Sequence, residues 1–201
     1  VQDTEAFCYG IDAVLLAAFA KGAVKKGNAV LDLCSGNGIV PLLLAAKTEA
    51  GKLVGVEIQE EAASLARRSV TLNREEERME MLTGDLCQIE ELRLKGGERL
   101  AHRFQDVAKA ARFALDSRGK FFIVHRPKRM AEIISILREN KLEPKRLQMV
   151  HSYLNGEAKL FLMEAGKDAG VELRILPPLV VYREDGEYTD ELKEIYGIAY
   201  P

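Results

Sequence analysis

The turn Cys34-Ser35-Gly36-Asn37-Gly38 constrains this chain more than any other segment. It follows the short apolar run Val30-Leu31-Asp32-Leu33 and precedes the apolar stretch Ile39 to Ala46, so it reads as a glycine loop between a buried strand and a helix. Pro41 suits the first turn of that helix, where its missing N–H would have no intrahelical partner in any case. The pattern then repeats. Leu53 to Val56 reads as a second buried strand ending at Glu57, and Glu60 to Asn73 spaces its apolar residues as a helix does. Met79 to Leu82 is a weaker strand ending at Gly84-Asp85. Lys120 to Val124 is a strong one, and the stripe Met130, Ile133, Ile134 and Leu137 marks the helix after it. Leu147 to Val150 and Lys159 to Glu164, joined by a turn at Asn155-Gly156, predict an antiparallel hairpin at the sheet end. Beyond Gly166 the chain reads as a tail, with Leu176 to Leu179 extended and a short helix over Asp190 to Tyr196.

Strand and helix alternate through most of the chain, which predicts an α/β fold: an open, mainly parallel sheet with helices on both faces and ligands at the carboxyl ends of the strands. The 201 residues suit a single domain, 1–201, whose tail covers 167–201. Lys plus Arg number 29 against 31 Asp plus Glu, a net charge of -2, so a nucleic-acid partner would have to meet a local basic patch. Candidate basic residues are Lys21, Lys25, Lys26, Arg67, Arg68, Arg126, Lys128 and Arg129, which read more simply as ordinary solvated charges. No apolar run approaches the roughly 18 residues of a membrane span and no signal peptide opens the chain, so a cytoplasmic protein without a membrane partner is expected. Cys8, Cys34 and Cys87 form no C-x-x-C pair, and no metal-ligand set is visible.

Three acidic or glycine-bearing spots fall at consecutive strand ends: Asp32 to Gly38, Glu57, and Gly84-Asp85. The glycines let a ligand approach the backbone closely. Glu57 lies 19 residues beyond Gly38, where a carboxylate can accept from both hydroxyls of a ribose. A dinucleotide would want a third glycine at the helix start, but Pro41 stands there, and the acidic Asp32 would repel a diphosphate. The same carboxylate suits the ammonium group of S-adenosylmethionine, and Asp85 is placed to take an adenine amine. Cys34 reads as a small loop residue, since no base lies near it in sequence. His125 reads as a strand-end histidine with a structural hydrogen bond, or as a base or substrate contact.

These residues resemble a known group. The run Phe7-Cys8-Tyr9-Gly10-Ile11-Asp12, the loop Leu31 to Gly38, Gly55-Val56-Glu57, Thr83-Gly84-Asp85-Leu86, Val124-His125-Arg126-Pro127 and the tail Gly186-Glu187-Tyr188-Thr189 are similar to the class I "small domain" methyltransferases. The chain looks most like the bacterial valine-tRNA (adenine-N6)-methyltransferase group. The resemblance implies a Rossmann-like, seven-stranded sheet, S-adenosylmethionine as donor, and methylation of an adenine N6 in tRNA or another RNA. By motif, Asp32, Gly36 and Gly38 would line the methionine end, Glu57 the ribose and Asp85 the adenine, with Cys34, Ile58 and Leu86 as flanking contacts. Residues 1–28, around Tyr9 and Gly10, would cover the cofactor, and His125 and Arg126 would touch substrate.

One departure stands out. Such amine methyltransferases carry an Asn-Pro-Pro-Tyr type motif after the fourth strand, and this sequence has none there, so no catalytic residue is assigned. Between Asp85 and Phe121 the chain reads as a helix over 88–94, a polar turn at Lys95 to Glu98, and a second helix from about Phe104 to Leu115, with no apolar β-branched run. Loss of that strand would leave the strand beside it with unmet backbone groups, each costing roughly 1 to 3 kcal/mol. The sequence is therefore expected to omit residues between 92 and 104 that carry the fourth strand. Two further readings stay open: a paralogue that binds cofactor or RNA without transfer, and a protein-glutamine N5-methyltransferase.

Overall fold

The computed structural model describes residues 10–86 and 104–198. Helix α1 (Ile11–Lys21) leads into β1 (Ala29–Leu33), α2 (Ile39–Lys47), β2 (Lys52–Glu57), α3 (Glu60–Asn73) and β3 (Met79–Thr83). The second half runs α4 (Phe104–Ala114), β4 (Lys120–His125), a 3₁₀ turn at Pro127–Arg129, α5 (Met130–Glu139), β5 (Leu142–His151), β6 (Ala158–Lys167), β7 (Arg174–Ile175), β8 (Leu179–Val180) and α6 (Asp190–Tyr196). The helix and turn expected over 88–98, and the place of the expected omission, lie outside the described residues.

The expected single seven-stranded sheet is corrected to two sheets. One has three parallel strands in the order β1-β2-β3; the other has five, with β4-β6-β5-β7 in a row and β8 also pairing β5. The second sheet is mixed rather than mainly parallel: β6 runs antiparallel to both β4 and β5, while β7 and β8 run parallel to β5. The reason lies in the pairing. Among the described residues no strand sits between β1 and β4, so each keeps one partner, and the hydrogen bonding breaks there. The predicted hairpin is present, longer than expected, because both of its strands run on for ten residues with core packed against both faces.

Register aligns the strand ends. Asp32 stands beside Gly55, Leu33 beside Val56 and Glu57 beside Thr83, so the ends of β1, β2 and β3 share one rim. Three apolar clusters hold the frame. Leu44, Ala45, Leu53, Ala66, Val70, Met79 and Met81 bind α2 and α3 to the first sheet. Ala108, Ala111, Ile133, Leu137, Phe161 and Met163 bind α4 and α5 to the second. Leu15, Val150, Leu162, Leu179 and Leu192 bind α1 and α6 to its opposite face. Gly38 is required where α2 starts. Its φ of 76° is left-handed, and a Cβ there would lie 3.1 Å from the Ala66 Cβ and 3.2 Å from the Met81 Cε.

Candidate cofactor site

The glycine loop is pinned from three directions. Ser35 N–H donates to the Val56 carbonyl at 3.0 Å, Gly38 N–H to the Ser35 carbonyl at 2.9 Å, and Gly36 N–H to Glu57 Oε2 at 2.8 Å. Glu57 Oε1 accepts the Gln59 N–H at 2.9 Å, and the side chain is 7% exposed. The predicted strand-end acid is thus buried, and each of its oxygens already holds a backbone donor. A carboxylate has about four acceptor directions, so room remains for a ligand hydroxyl. The fixing role of Glu57 on its own loop was not read from the sequence, because the donors, Gly36 and Gln59, are ordinary backbone groups with no residue-type signature.

Asp32 sits at the other side of the loop. Burial, and then the negative charge of Glu57, push its carboxyl up to about 7. Its Oδ2 is buried and has no hydrogen-bond partner among the described residues; the same holds for Ser35 Oγ. Two buried polar atoms left unmet at one loop are costly unless a ligand or water meets them. Cys34 follows in a left-handed conformation, φ 61°, with its thiol pushed up to about 11 by desolvation and then by Glu57 and Asp32. Such a thiol stays protonated near neutrality and is no nucleophile.

Asp32, Cys34, Ser35, Gly36 and Glu57 line one cavity of about 1300 Å³, together with Gly10, Gln59, His125 and Arg129. Of the other residues singled out, Gly38, Ile58, Asp85, Leu86 and Arg126 are not in that lining. Gly38 lies under the α2–α3 packing, Leu86 is buried with Val56 and Ala110, and Ile58 is half exposed. Gly84 N–H donates to the Glu57 carbonyl at 2.9 Å, which holds the third strand end against the second. Tyr9 lies outside the described residues. His125 ends β4, accepts the Arg126 N–H on Nδ1 at 2.8 Å, and its ring centroid lies 6.4 Å from that of Phe161, its cross-strand neighbour. In the neutral ring, Nε2 therefore carries the proton. Ser35 was missed at the sequence level: a serine inside a glycine loop has nothing to distinguish it until its hydroxyl is seen buried.

Comparisons with known proteins agree with this frame. The family described as the TRM5/TYW2 methyltransferase domain matches residues 18–116, just under half of the chain. No curated protein matches the sequence. Among solved structures, one described as a predicted O-methyltransferase from Agrobacterium tumefaciens is 23% identical, with a TM-score of 0.79 over 92% of this chain and 95% of that one. Fibrillarin from Aeropyrum pernix, solved with S-adenosyl-L-methionine, is 21% identical with a TM-score of 0.54, covering 77% of this chain and 76% of that one. Geranyl diphosphate C-methyltransferase from Streptomyces coelicolor, solved with S-adenosyl-L-homocysteine, is 10% identical with a TM-score of 0.58, covering 75% and 76%. The chain has the Rossmann-like fold of the class I methyltransferases, and its sequence matches a methyltransferase domain over residues 18–116.

Proposed function

We propose that the protein is an S-adenosylmethionine-dependent N-methyltransferase whose acceptor is an adenine N6 in tRNA or another RNA. One observation carries the cofactor reading: the orphaned Asp32 Oδ2 and Ser35 Oγ beside a glycine loop that opens on the large cavity. An ammonium group would supply the kind of donor these atoms lack and would offset the Asp32–Glu57 repulsion, where a diphosphate would add to it. Glu57, held by Gly36 and Gln59, keeps acceptor directions for ribose hydroxyls, and Asp85 is the candidate for the adenine amine. Gly36 brings no Cβ, and one placed there would project into open space. The bound cofactor supplies an electrophilic methyl group for direct displacement by an amine. The chain's own part is to hold that cofactor and position the acceptor, without a covalent enzyme intermediate.

RNA as acceptor is supported by the resemblance carried on Val124-His125-Arg126-Pro127 and the tail, and by Arg126, Lys128 and Arg129 clustered beside His125. Labelled methyl incorporation into unmodified bulk tRNA, followed by nucleoside analysis, tests donor, acceptor and atom together. N6-methyladenosine is the expected product. Methylation of a release-factor glutamine instead would establish the protein-glutamine reading. The missing Asn-Pro-Pro-Tyr run favours one other reading, a binder without transfer, and cofactor heat in calorimetry with no turnover on any RNA would establish it.

A further inference from the structure

Strand β7 (Arg174–Ile175) stands at the end of the second sheet. It pairs with β5 on one side, and among the described residues no strand pairs with its other side. Leu176 N–H donates to the Leu147 carbonyl at 2.8 Å, so the backbone of Leu176 faces β5. Backbone groups alternate sides along a strand, so those of Ile175 turn outward, and the same alternation turns those of Leu173 outward. Pro177, next in that series, has no N–H to offer and closes the edge.

The side chains along this edge are as open as its backbone. Val171, Leu173 and Ile175 are 80%, 43% and 60% exposed. Ile175 stands beside Leu147, so it prolongs the sheet face that carries the α4–α5 cluster. Between these apolar residues lie Arg174 and Glu172, whose side chain is 82% exposed and reaches Lys145 at 3.6 Å. Arg174 is exposed, and no acid among the described residues forms an ion pair with it. Its neighbour in register on β5 is Arg146, a second cation, which Glu164 already holds.

We propose that β7 pairs antiparallel with β7 of a second copy of this chain, about a two-fold axis at Leu173, so that one sheet runs through both copies of a dimer. The segment Val171-Glu172-Leu173-Arg174-Ile175 is its own complement in that register. Leu173 faces Leu173, Val171 faces Ile175, and Glu172 of each copy faces Arg174 of the other. The outward backbone groups of Leu173 exchange hydrogen bonds across the axis. Glu172 and Arg174 then fall in the non-hydrogen-bonded pairs, where opposite side chains stand closest, about 4.5 Å apart at Cα. A slip of one residue in either direction sets each charge against an apolar residue, so the register is specified. Each copy offers the same patch, as a closed two-fold dimer requires. The pairing rests on the sheet edge and not on methyl transfer.

Sedimentation equilibrium of the 201-residue chain tests the pairing. An edge pair this short is a small interface, so a reversible monomer–dimer equilibrium is expected between about 1 and 200 μM. A monomer across that whole range overturns the proposal. Glu172→Arg and Arg174→Glu each turn two attractive pairs between copies into repulsive ones, and each should raise the dimer dissociation constant at least about tenfold. Both positions are exposed, and a circular-dichroism spectrum matching the parent's confirms that each variant folds. An equal mixture of the two variants sets arginine against glutamate at both places, so it should dimerise about as strongly as the parent. A single variant that dimerises as the parent does, or a mixture that dimerises no better than its components, overturns the pairing.

Discussion

Glu57 reaches back 21 residues to accept the Gly36 N–H at 2.8 Å, so the acid at the end of β2 fixes the glycine loop at the end of β1. The loop proposed to receive the ligand and the group proposed to touch its ribose are one hydrogen-bonded unit. Perturbing either should therefore show in the free protein as well as in binding.

Glu57→Gln tests that unit directly. The amide keeps one acceptor oxygen and turns an NH₂ towards the second backbone donor. Loss of a hydrogen bond to a charged acceptor should lower unfolding stability by about 1.5–3 kcal/mol and weaken cofactor binding as well. Denaturant unfolding and calorimetry give the two readings. A residue that merely touched the cofactor would leave the first unchanged.

Asp32 sets a pH dependence whose sign can be worked out. Its folded value of about 7 lies above the ordinary 3.8, so the native state holds a proton that the unfolded chain has lost over that interval. The stability this group contributes is complete below the ordinary value and falls as pH rises through about 7. Asp32→Asn cannot ionise, so its stability relative to the parent should grow from pH 4 towards neutrality and level off above it. Thermal melts of the two proteins across that range measure the difference.

The same carboxyl predicts the pH profile of binding. A cationic ligand favours ionised Asp32, so below about 7 the affinity for S-adenosylmethionine should drop by up to about tenfold per pH unit. Asp32→Asn should bind weakly without that Asp32-linked slope. A parent protein whose affinity shows no such slope would place the ammonium elsewhere.

Gly38→Ala puts a side chain on a left-handed residue, 3.1 Å from the Ala66 Cβ. Strain and overpacking together should cost about 1–3 kcal/mol of stability. The denaturation midpoint reads this, and a matching circular-dichroism spectrum confirms that the fold survives.

Glu164 is a purely structural counterpart. It is 4% exposed on β6, takes Lys120 at 2.8 Å and Arg146 at 2.5 Å, and these partners hold its carboxyl below the usual range despite its burial. Its contribution is present above the ordinary carboxylate value and is lost as pH falls through the lowered one. Glu164→Leu should destabilise by at most about 3 kcal/mol, because both cations still reach solvent. It should also flatten the acid limb of the stability profile.

What the sequence determined by itself is the local grammar. The runs Val30 to Leu33 and Leu53 to Val56, the glycine loop, the helical spacing of Glu60 to Asn73 and the Asn155-Gly156 hairpin all appear in the structure, because periodicity and turn chemistry act over a few residues. They also placed Asp32 and Glu57 at neighbouring strand ends. What those groups meet depends on the tertiary structure: Glu57 accepts from Gly36 and Gln59, Asp32 Oδ2 and Ser35 Oγ are buried without partners among the described residues, and Leu86 and Gly38 pack inward. It also decided that the sheet divides at β1 and β4, since pairing across a sheet depends on which strands stand side by side, a relation between residues nearly 90 positions apart that no local pattern encodes.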